Sequence, residues 1–223
     1  MPILTPPART LDTDPATIGA MKRQRSTRKT TASRETSKAS GKLRIIGGDY
    51  RRRQLPVLDH PGLRPTPDRV RETLFNWLGP ALAGKRALDL FAGSGALGIE
   101  ALSRGAREAT FVELTPRVAG LIEQNLATLG AANARVVTME AGAFLASAPS
   151  TYELVFLDPP FHKGLAGPCC QALENGWLSP KAFIYLETER DLAVEVPATW
   201  QLHRETSAGE TSARLYRRGA LAQ

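Results

Sequence analysis

Four residues past the middle of the chain, Asp158-Pro159-Pro160-Phe161, bring together types that suit one kind of chemistry. Consecutive prolines fix the backbone and remove two N–H donors, so the Asp158 carboxylate and the Pro159 carbonyl can face one small space as acceptors. A planar exocyclic amino group offers them two donor hydrogens. Phe161 adds a flat face on which an unstacked base can lie, a contact worth ~1–3 kcal/mol. Such an amine is a poor nucleophile because its lone pair is delocalised into the ring. Acceptors on its protons localise that pair, and Asp158 or water can take up the proton that is lost. The plain alternative is a rigid turn in which Asp158 only caps a helix.

A second group lies upstream, in Leu88-Asp89-Leu90-Phe91-Ala92-Gly93-Ser94-Gly95-Ala96-Leu97-Gly98. An apolar run into a glycine turn and then helical spacing is the first half of a nucleotide-binding crossover, and Gly93-x-Gly95-x-x-Gly98 matches the dinucleotide fingerprint. Alone that match is weak. Glu113, 18 residues beyond Gly95, can accept hydrogen bonds from the ribose hydroxyls of an adenosine-containing cofactor. Asp89 discriminates further. A carboxylate beside the glycines repels a pyrophosphate but welcomes an α-ammonium, which S-adenosylmethionine carries together with a sulfonium. The candidate cofactor residues are Asp89, Phe91, Gly93, Ser94, Gly95 and Glu113, with Glu140 and Ala141 after a later strand.

Elements must hold these groups together. Apolar runs predict strands at 87–90, 108–113, 135–138, 152–158 and 182–187, alternating with helical spacing over 99–102 closed by Gly105, a helix over 116–129, a turn and helix starting at 140–145 and a helix around 168–175. Thr115 is read as an N-cap ahead of Pro116, with Gly130 closing that helix. Segments 200–206 and 213–217 form an antiparallel pair. The expected fold is therefore α/β, a mostly parallel Rossmann-like sheet with an antiparallel C-terminal edge. Asp89, the glycine turn, Glu113, Glu140 and Asp158 all fall at carboxyl ends of strands, where ligands of such sheets bind.

The net charge of +7 is uneven: residues 1–80 hold 16 Lys and Arg against 7 Asp and Glu, and residues 81–223 hold 13 against 15. A basic N-terminal third suggests a polyanionic partner. Residues 1–41 are read as a disordered basic tail, in which a start at Met21 is an equally economical reading. Residues 42–62 read as a β-hairpin with Tyr50 at its tip and Arg51, Arg52 and Arg53 as RNA contacts. Residues 63–219 form the catalytic domain, opening with a helix capped by Thr66 and Pro67 whose Val70, Leu74, Trp77 and Leu78 make the apolar face. Arg64, Arg69 and Arg71, off that face, are further candidates for substrate contact. Adjacent Cys169 and Cys170 cannot form an ordinary disulfide and read as packed thiols; no metal site is legible. Without a long apolar run or an apolar leader, the chain reads as cytoplasmic, with no membrane contact.

These residues also carry a resemblance. Arg44-Ile45-Ile46-Gly47-Gly48, Gly62-Leu63-Arg64-Pro65-Thr66, the run from Asp68 to Leu78, the stretch from Phe91 to Gly98 and Asp158-Pro159-Pro160-Phe161 together resemble the RsmD family of bacterial 16S rRNA guanine-N2 methyltransferases. The resemblance implies a class I methyltransferase fold, S-adenosylmethionine as donor, and a guanine of 16S rRNA, free or in an assembling small subunit, as acceptor. It places Gly93 and Gly95 against the methionine part, Glu113 at the ribose and Asp158 to Phe161 at the base. Two positions depart from the family pattern: Leu114 follows Glu113 where a second polar residue is common, and Glu140 stands where Asn or Asp contacts adenine. A monomer is expected. By chemistry alone the motif also serves adenine N6, and a non-catalytic RNA-binding assembly factor or a nicotinamide-dependent oxidoreductase are further readings.

Overall fold

A computed structural model describes residues 39–59 and 66–219. Most of the expected tail, and Arg64, lie outside the described residues. Strands β1 (Ala39–Arg44) and β2 (Gln54–Leu58) pair antiparallel. Helix α1 (Asp68–Leu78) follows, and a short 3₁₀ helix, Gly79–Leu82, which the sequence pattern does not announce. Then come β3 (Arg86–Asp89), α2 (Ala96–Ser103), β4 (Glu108–Glu113), α3 (Pro116–Leu129), β5 (Ala134–Thr138), α4 (Ala141–Leu145), β6 (Tyr152–Leu157) and α5 (Ala166–Leu173). Strands β7 (Leu178–Glu189), β8 (Trp200–Ala208) and β9 (Thr211–Arg218) complete the chain.

Seven strands form one sheet in the order β5-β4-β3-β6-β7-β9-β8. The first five are parallel, and β9 runs antiparallel to both β7 and β8. Alternation along the central strands sends Ala87, Phe111, Phe156 and Tyr185 to one face, packed under α1, α2, α3 and the β1–β2 hairpin. Leu88, Val112, Val155 and Ile184 go to the other, under α4 and α5. Both faces are covered, which is why these strands read as continuous apolar runs. Gly98 permits the closest of these contacts: a Cβ there would lie 2.3 Å from the Phe111 ring.

The hairpin shares the core of the sheet's first face through Leu43, Ile45, Leu55 and Val57. Its bend is fixed on the last residue of α2. Asp49 N–H donates to the Ser103 carbonyl at 2.7 Å and Tyr50 N–H to Ser103 Oγ at 2.9 Å. Gly48 approaches so closely that a Cβ would lie 1.7 Å from the Ser103 carbonyl oxygen. Because α2 starts at the carboxyl end of β3 and ends beside the amino end of β4, the bend sits at the amino ends of the parallel strands. Tyr50 is half-buried against the core, so it is not an aromatic presented at a free tip.

Two helix starts differ from expectation. Neither Thr66 nor Thr115 places a side chain on the following helix; Pro67 and Thr115 hold the cap positions through the backbone alone. The buried stripe of α1 is Arg71, Leu74, Phe75 and Leu78, one step round from the face predicted. Cys169 and Cys170 are buried, free thiols, and burial pushes them up to about 11 and about 12, so they are unreactive. Among the described residues no helix is long and apolar enough to cross a membrane.

Candidate functional site

The strand order reverses between β3 and β6, where Asp89 lies opposite Phe156 and Leu90 N–H donates to the Phe156 carbonyl at 3.0 Å. In sheets of this kind the ligand crevice lies at that reversal, at the carboxyl ends of the strands. On one side the chain turns through Gly93 and Gly95, both left-handed at φ 51° and 78°, a conformation that a side chain would strain. Gly95 N–H closes the turn on the Ala92 carbonyl at 2.6 Å, and Phe91 and Ser94 are half-buried beside it.

Two acids brace this turn. Glu113 Oε2 accepts from Gly93 N–H at 2.9 Å and Oε1 from Thr115 N–H at 2.8 Å. Each oxygen keeps a second lone pair for a ribose hydroxyl. Asp89 is buried and accepts from Gly98 N–H at 2.9 Å; burial and the charge of Glu113 push its carboxyl up to about 7. Leu114 is 65% exposed and Met139 40%, two apolar surfaces at the carboxyl ends of β4 and β5. Glu140 does something other than expected. It is exposed, and Oε2 caps α4 by accepting from Ala143 N–H at 2.8 Å, which with a second bond from Gly142 holds it below the usual range. Its bonds among the described residues are to its own helix. Ala141, in the first turn of that helix, is buried.

Across the crevice, Asp158 is half-buried, Pro159 buried, Pro160 exposed and Phe161 half-buried. The next helix begins only at Ala166, so Asp158 caps nothing. Its partners are instead the Thr66 hydroxyl, which donates to it, and two further acids. Burial together with the charges of Glu187 and Asp89 raises Asp158 well above the usual carboxylate range. Glu187 is 6% exposed on β7 and accepts from the Tyr185 hydroxyl at 2.7 Å. Further along β7, Glu189 accepts from His162 N–H and faces the His162 ring at 3.4 Å, fixing the turn after Phe161.

The six arginines separate. Arg51, Arg52 and Arg53 are exposed, but they lie at the amino ends of the strands, with Arg53 Nη2 donating to the Thr128 carbonyl at 2.9 Å. Arg69 is exposed on the first turn of α1, close in sequence to Thr66. Arg71 is no surface contact: it is 1% exposed, ion-paired with Asp68 and facing Glu100 at 3.6 Å. Its position in the 71-74-75-78 stripe is the sequence signal for that burial. Thr66, Tyr185, Glu187 and Glu189 join the site although the sequence reading gives none of them a role there. The last three alternate along one strand face, a period-2 pattern that is there to be read.

The family described as Conserved hypothetical protein 95 matches residues 43–217. Ribosomal RNA small subunit methyltransferase D of Escherichia coli K12 is 55% identical over 183 residues, 81% of this chain and 92% of that protein. This chain belongs to the RsmD family. The Haemophilus influenzae member with the same name is 48% identical over 187 residues, 82% of this chain and 97% of that one. A solved Escherichia coli structure, 54% identical, superposes with a TM-score of 0.75 over 81% of this chain and 99% of its own. The RsmD match thus spans the hairpin, both sides of the crevice and the antiparallel edge.

Proposed function

We propose that this RsmD-family methyltransferase transfers a methyl group from S-adenosylmethionine to the exocyclic N2 amine of a guanine in 16S rRNA. The observation that carries the reading is the convergence of two groups on one crevice. The glycine turn with Asp89 and Glu113 lies on one side, and Asp158 to Phe161 on the adjacent strand end.

The cofactor fits the residues present. Gly93 has no atom closer than 4.0 Å to the place a Cβ would take, Glu113 retains lone pairs, and Leu114 and Met139 offer exposed apolar surface. Asp89 faces the crevice with a carboxyl at about 7, which an approaching ammonium would draw into its charged form. When bound, S-adenosylmethionine supplies a methyl group activated by its sulfonium. Asp158 and the Pro159 carbonyl accept the amine's two protons, turning its lone pair out of the ring and toward the donor. Phe161 carries the base plane, and its turn is held by Glu189. Alignment of this kind supplies more of the acceleration than proton removal, which contributes ~10²–10⁴-fold.

The same reading has the protein acting as a cytoplasmic monomer, without metal, on free 16S rRNA or an assembling small subunit. Mass spectrometry of 16S rRNA nucleosides from a strain lacking the gene tests it. One N2-methylguanosine is expected to disappear and return on complementation. Every N2-methylguanosine intact would overturn the proposal, and loss of N6-methyladenosine instead would reassign the base.

A further inference from the structure

The base-side carboxyl does not stand alone. Strands β6 and β7 pair in parallel with Phe156 opposite Tyr185 and Leu157 opposite Leu186, so the next residues out, Asp158 and Glu187, face each other at the same level. Glu187 is 6% exposed and cannot reach solvent as Asp158 does. It takes a hydrogen bond from the Tyr185 hydroxyl at 2.7 Å, on the same strand face, and Tyr185 is itself wedged against Phe156. The groups facing Asp158 are Glu187 from β7, Asp89 from β3 and the uncharged Thr66 hydroxyl from the segment leading into α1. Among the described residues neither Asp158 nor Glu187 has a salt-bridge partner, and no group of three acids, histidines or cysteines is arranged to hold a metal.

We propose, resting on the function inferred above, that Glu187 is a positioning residue for methyl transfer: held by Tyr185, it sets the proton affinity of Asp158, and the two carboxyls together hold the proton that the amine gives up. Two carboxyls side by side, one buried and one half-buried, cannot both ionise cheaply, so the pair retains one proton between them. The Tyr185 hydrogen bond favours charge on Glu187, which leaves the shared proton to Asp158; burial and both neighbouring acids raise Asp158 accordingly. A cationic donor entering the crevice favours the fully ionised pair and discharges that proton. The guanine nitrogen then forms a bond to the methyl carbon as the sulfonium–carbon bond breaks and its electron pair returns to sulfur, leaving a neutral sulfide. The nitrogen sheds one proton to Asp158, restoring the singly protonated pair, and the next cofactor releases it. Glu187 touches neither reactant in this scheme. Its effect is to make Asp158 a stronger base than a carboxylate at a crevice mouth would otherwise be.

The test is Glu187→Gln, which keeps the shape and removes the charge, with Tyr185→Phe as a second variant. Single-turnover methyl transfer is measured across pH, and the carboxyl carbons of 13C-labelled Asp and Glu are titrated by NMR in the same proteins without substrate. Glu187→Gln is expected to lower the transfer rate ~10-fold or more with KM for RNA unchanged. It should also move the acid limb of the rate profile, and the Asp158 midpoint, to lower pH. Tyr185→Phe, by letting Glu187 take the proton, should lower the Asp158 midpoint by less, while the acid limb, which requires both carboxyls ionised, stays in place or moves to higher pH. A merely structural role would lower stability without moving either midpoint. An Asp158 midpoint that stays put in Glu187→Gln overturns the proposal, as does an unshifted acid limb. If Glu187→Gln does not fold, an unmoved midpoint in Tyr185→Phe overturns it equally. Should the wild type methylate no rRNA, the functional reading falls, while the NMR titration still decides whether the two carboxyls share a proton.

Discussion

Two places in the molecule bury acids, and they treat them in opposite ways. Under the hairpin, Glu100 on α2 is 0% exposed yet surrounded by donors. It accepts from Ile46 N–H at 2.9 Å, Gly47 N–H at 2.8 Å and Arg104 Nε at 2.7 Å, with Arg71 Nη1 at 3.6 Å. In the crevice, Asp158 feels the charges of Glu187 and Asp89, and the carboxyls of all three are raised. A buried charge surrounded by partners is a fastener, costly to disturb and of no use in chemistry. A buried carboxyl left among other acids carries an unrelieved electrostatic strain that a cationic cofactor or a proton can remove. The difference separates the residue that holds the hairpin on from the residues that turn the substrate over.

The largest way to break that comparison is at the crevice. Asp158→Ala is expected to lower methyl transfer by at least ~10²-fold while calorimetry shows S-adenosylmethionine affinity reduced far less, because Asp158 lies on the base side. Equal loss of both would move Asp158 to the cofactor side.

At the fastener the expected cost is in stability. Glu100→Ala leaves Arg71 buried with Asp68 as its remaining counter-charge and takes the acceptor from Ile46 N–H and Gly47 N–H; Arg71 Nε and Nη1 already lack hydrogen-bond partners among the described residues. Urea unfolding should show a loss of about 3–5 kcal/mol. A second change, Arg71→Met, should recover part of that loss, since removing both charges is far cheaper than removing one. A loss below about 1 kcal/mol would put Glu100 in the same class as a surface pair and dissolve the contrast.

Those two groups of acids are not equally legible in the sequence. Asp89, Glu113 and Asp158 are readable because strand ends announce themselves, as an apolar run stopping at an acid followed by glycine or proline. The parallel order follows from continuous apolar strands alternating with helices. Glu187 ends just such a run but has no turn signal after it, because β7 continues two residues further to pair with β9. Thr66 reads as a helix cap because Ser and Thr before a proline usually are; only the fold brings the end of β6 close enough to claim its hydroxyl. Arg71 is read as a substrate contact, and Glu100 escapes notice, for the complementary reason. A long charged side chain is assigned to solvent by default, and only the docking of α1, α2 and the hairpin on one face makes an interior for it. The position of Arg51, Arg52 and Arg53 at the far end of the sheet is likewise invisible, since it depends on which end of α2 the bend rests upon.

A smaller effect sharpens the comparison through pH. The Asp89 carboxyl sits at about 7 in the folded chain against an ordinary value of 3.8. The folded state therefore binds the extra proton between those values, and the stability this group contributes is full at low pH and lost as pH rises toward 7. Over that window the decline amounts to about 4 kcal/mol at most. Unfolding free energies measured from pH 4 to 8 should fall less steeply in Asp89→Asn than in the wild type. Saturating S-adenosylmethionine should stabilise the wild type more at pH 8 than at pH 5, because the ammonium requires the ionised form. An identical slope in both proteins would mean that Asp89 is as well satisfied as Glu100.

The smallest effect concerns the arginines that the structure moves away from the crevice. Arg51 and Arg52 are exposed at the hairpin bend, the end of the sheet remote from Asp158. If they grip the rRNA backbone there, each contributes through counterion release and not through the base. Arg51→Glu with Arg52→Glu should weaken binding of a 16S rRNA fragment and flatten the plot of log affinity against log salt by about one for each phosphate no longer neutralised. Arg53 is left in place because its guanidinium also ties the hairpin to Thr128. The fragment must be long enough to reach both ends of the sheet; a short oligonucleotide carrying only the target guanine should bind wild type and variant alike. An unchanged salt slope with the long fragment would make the bend a bystander. The basic surface that guides RNA would then have to be sought nearer the crevice, beginning with Arg69 on the first turn of α1.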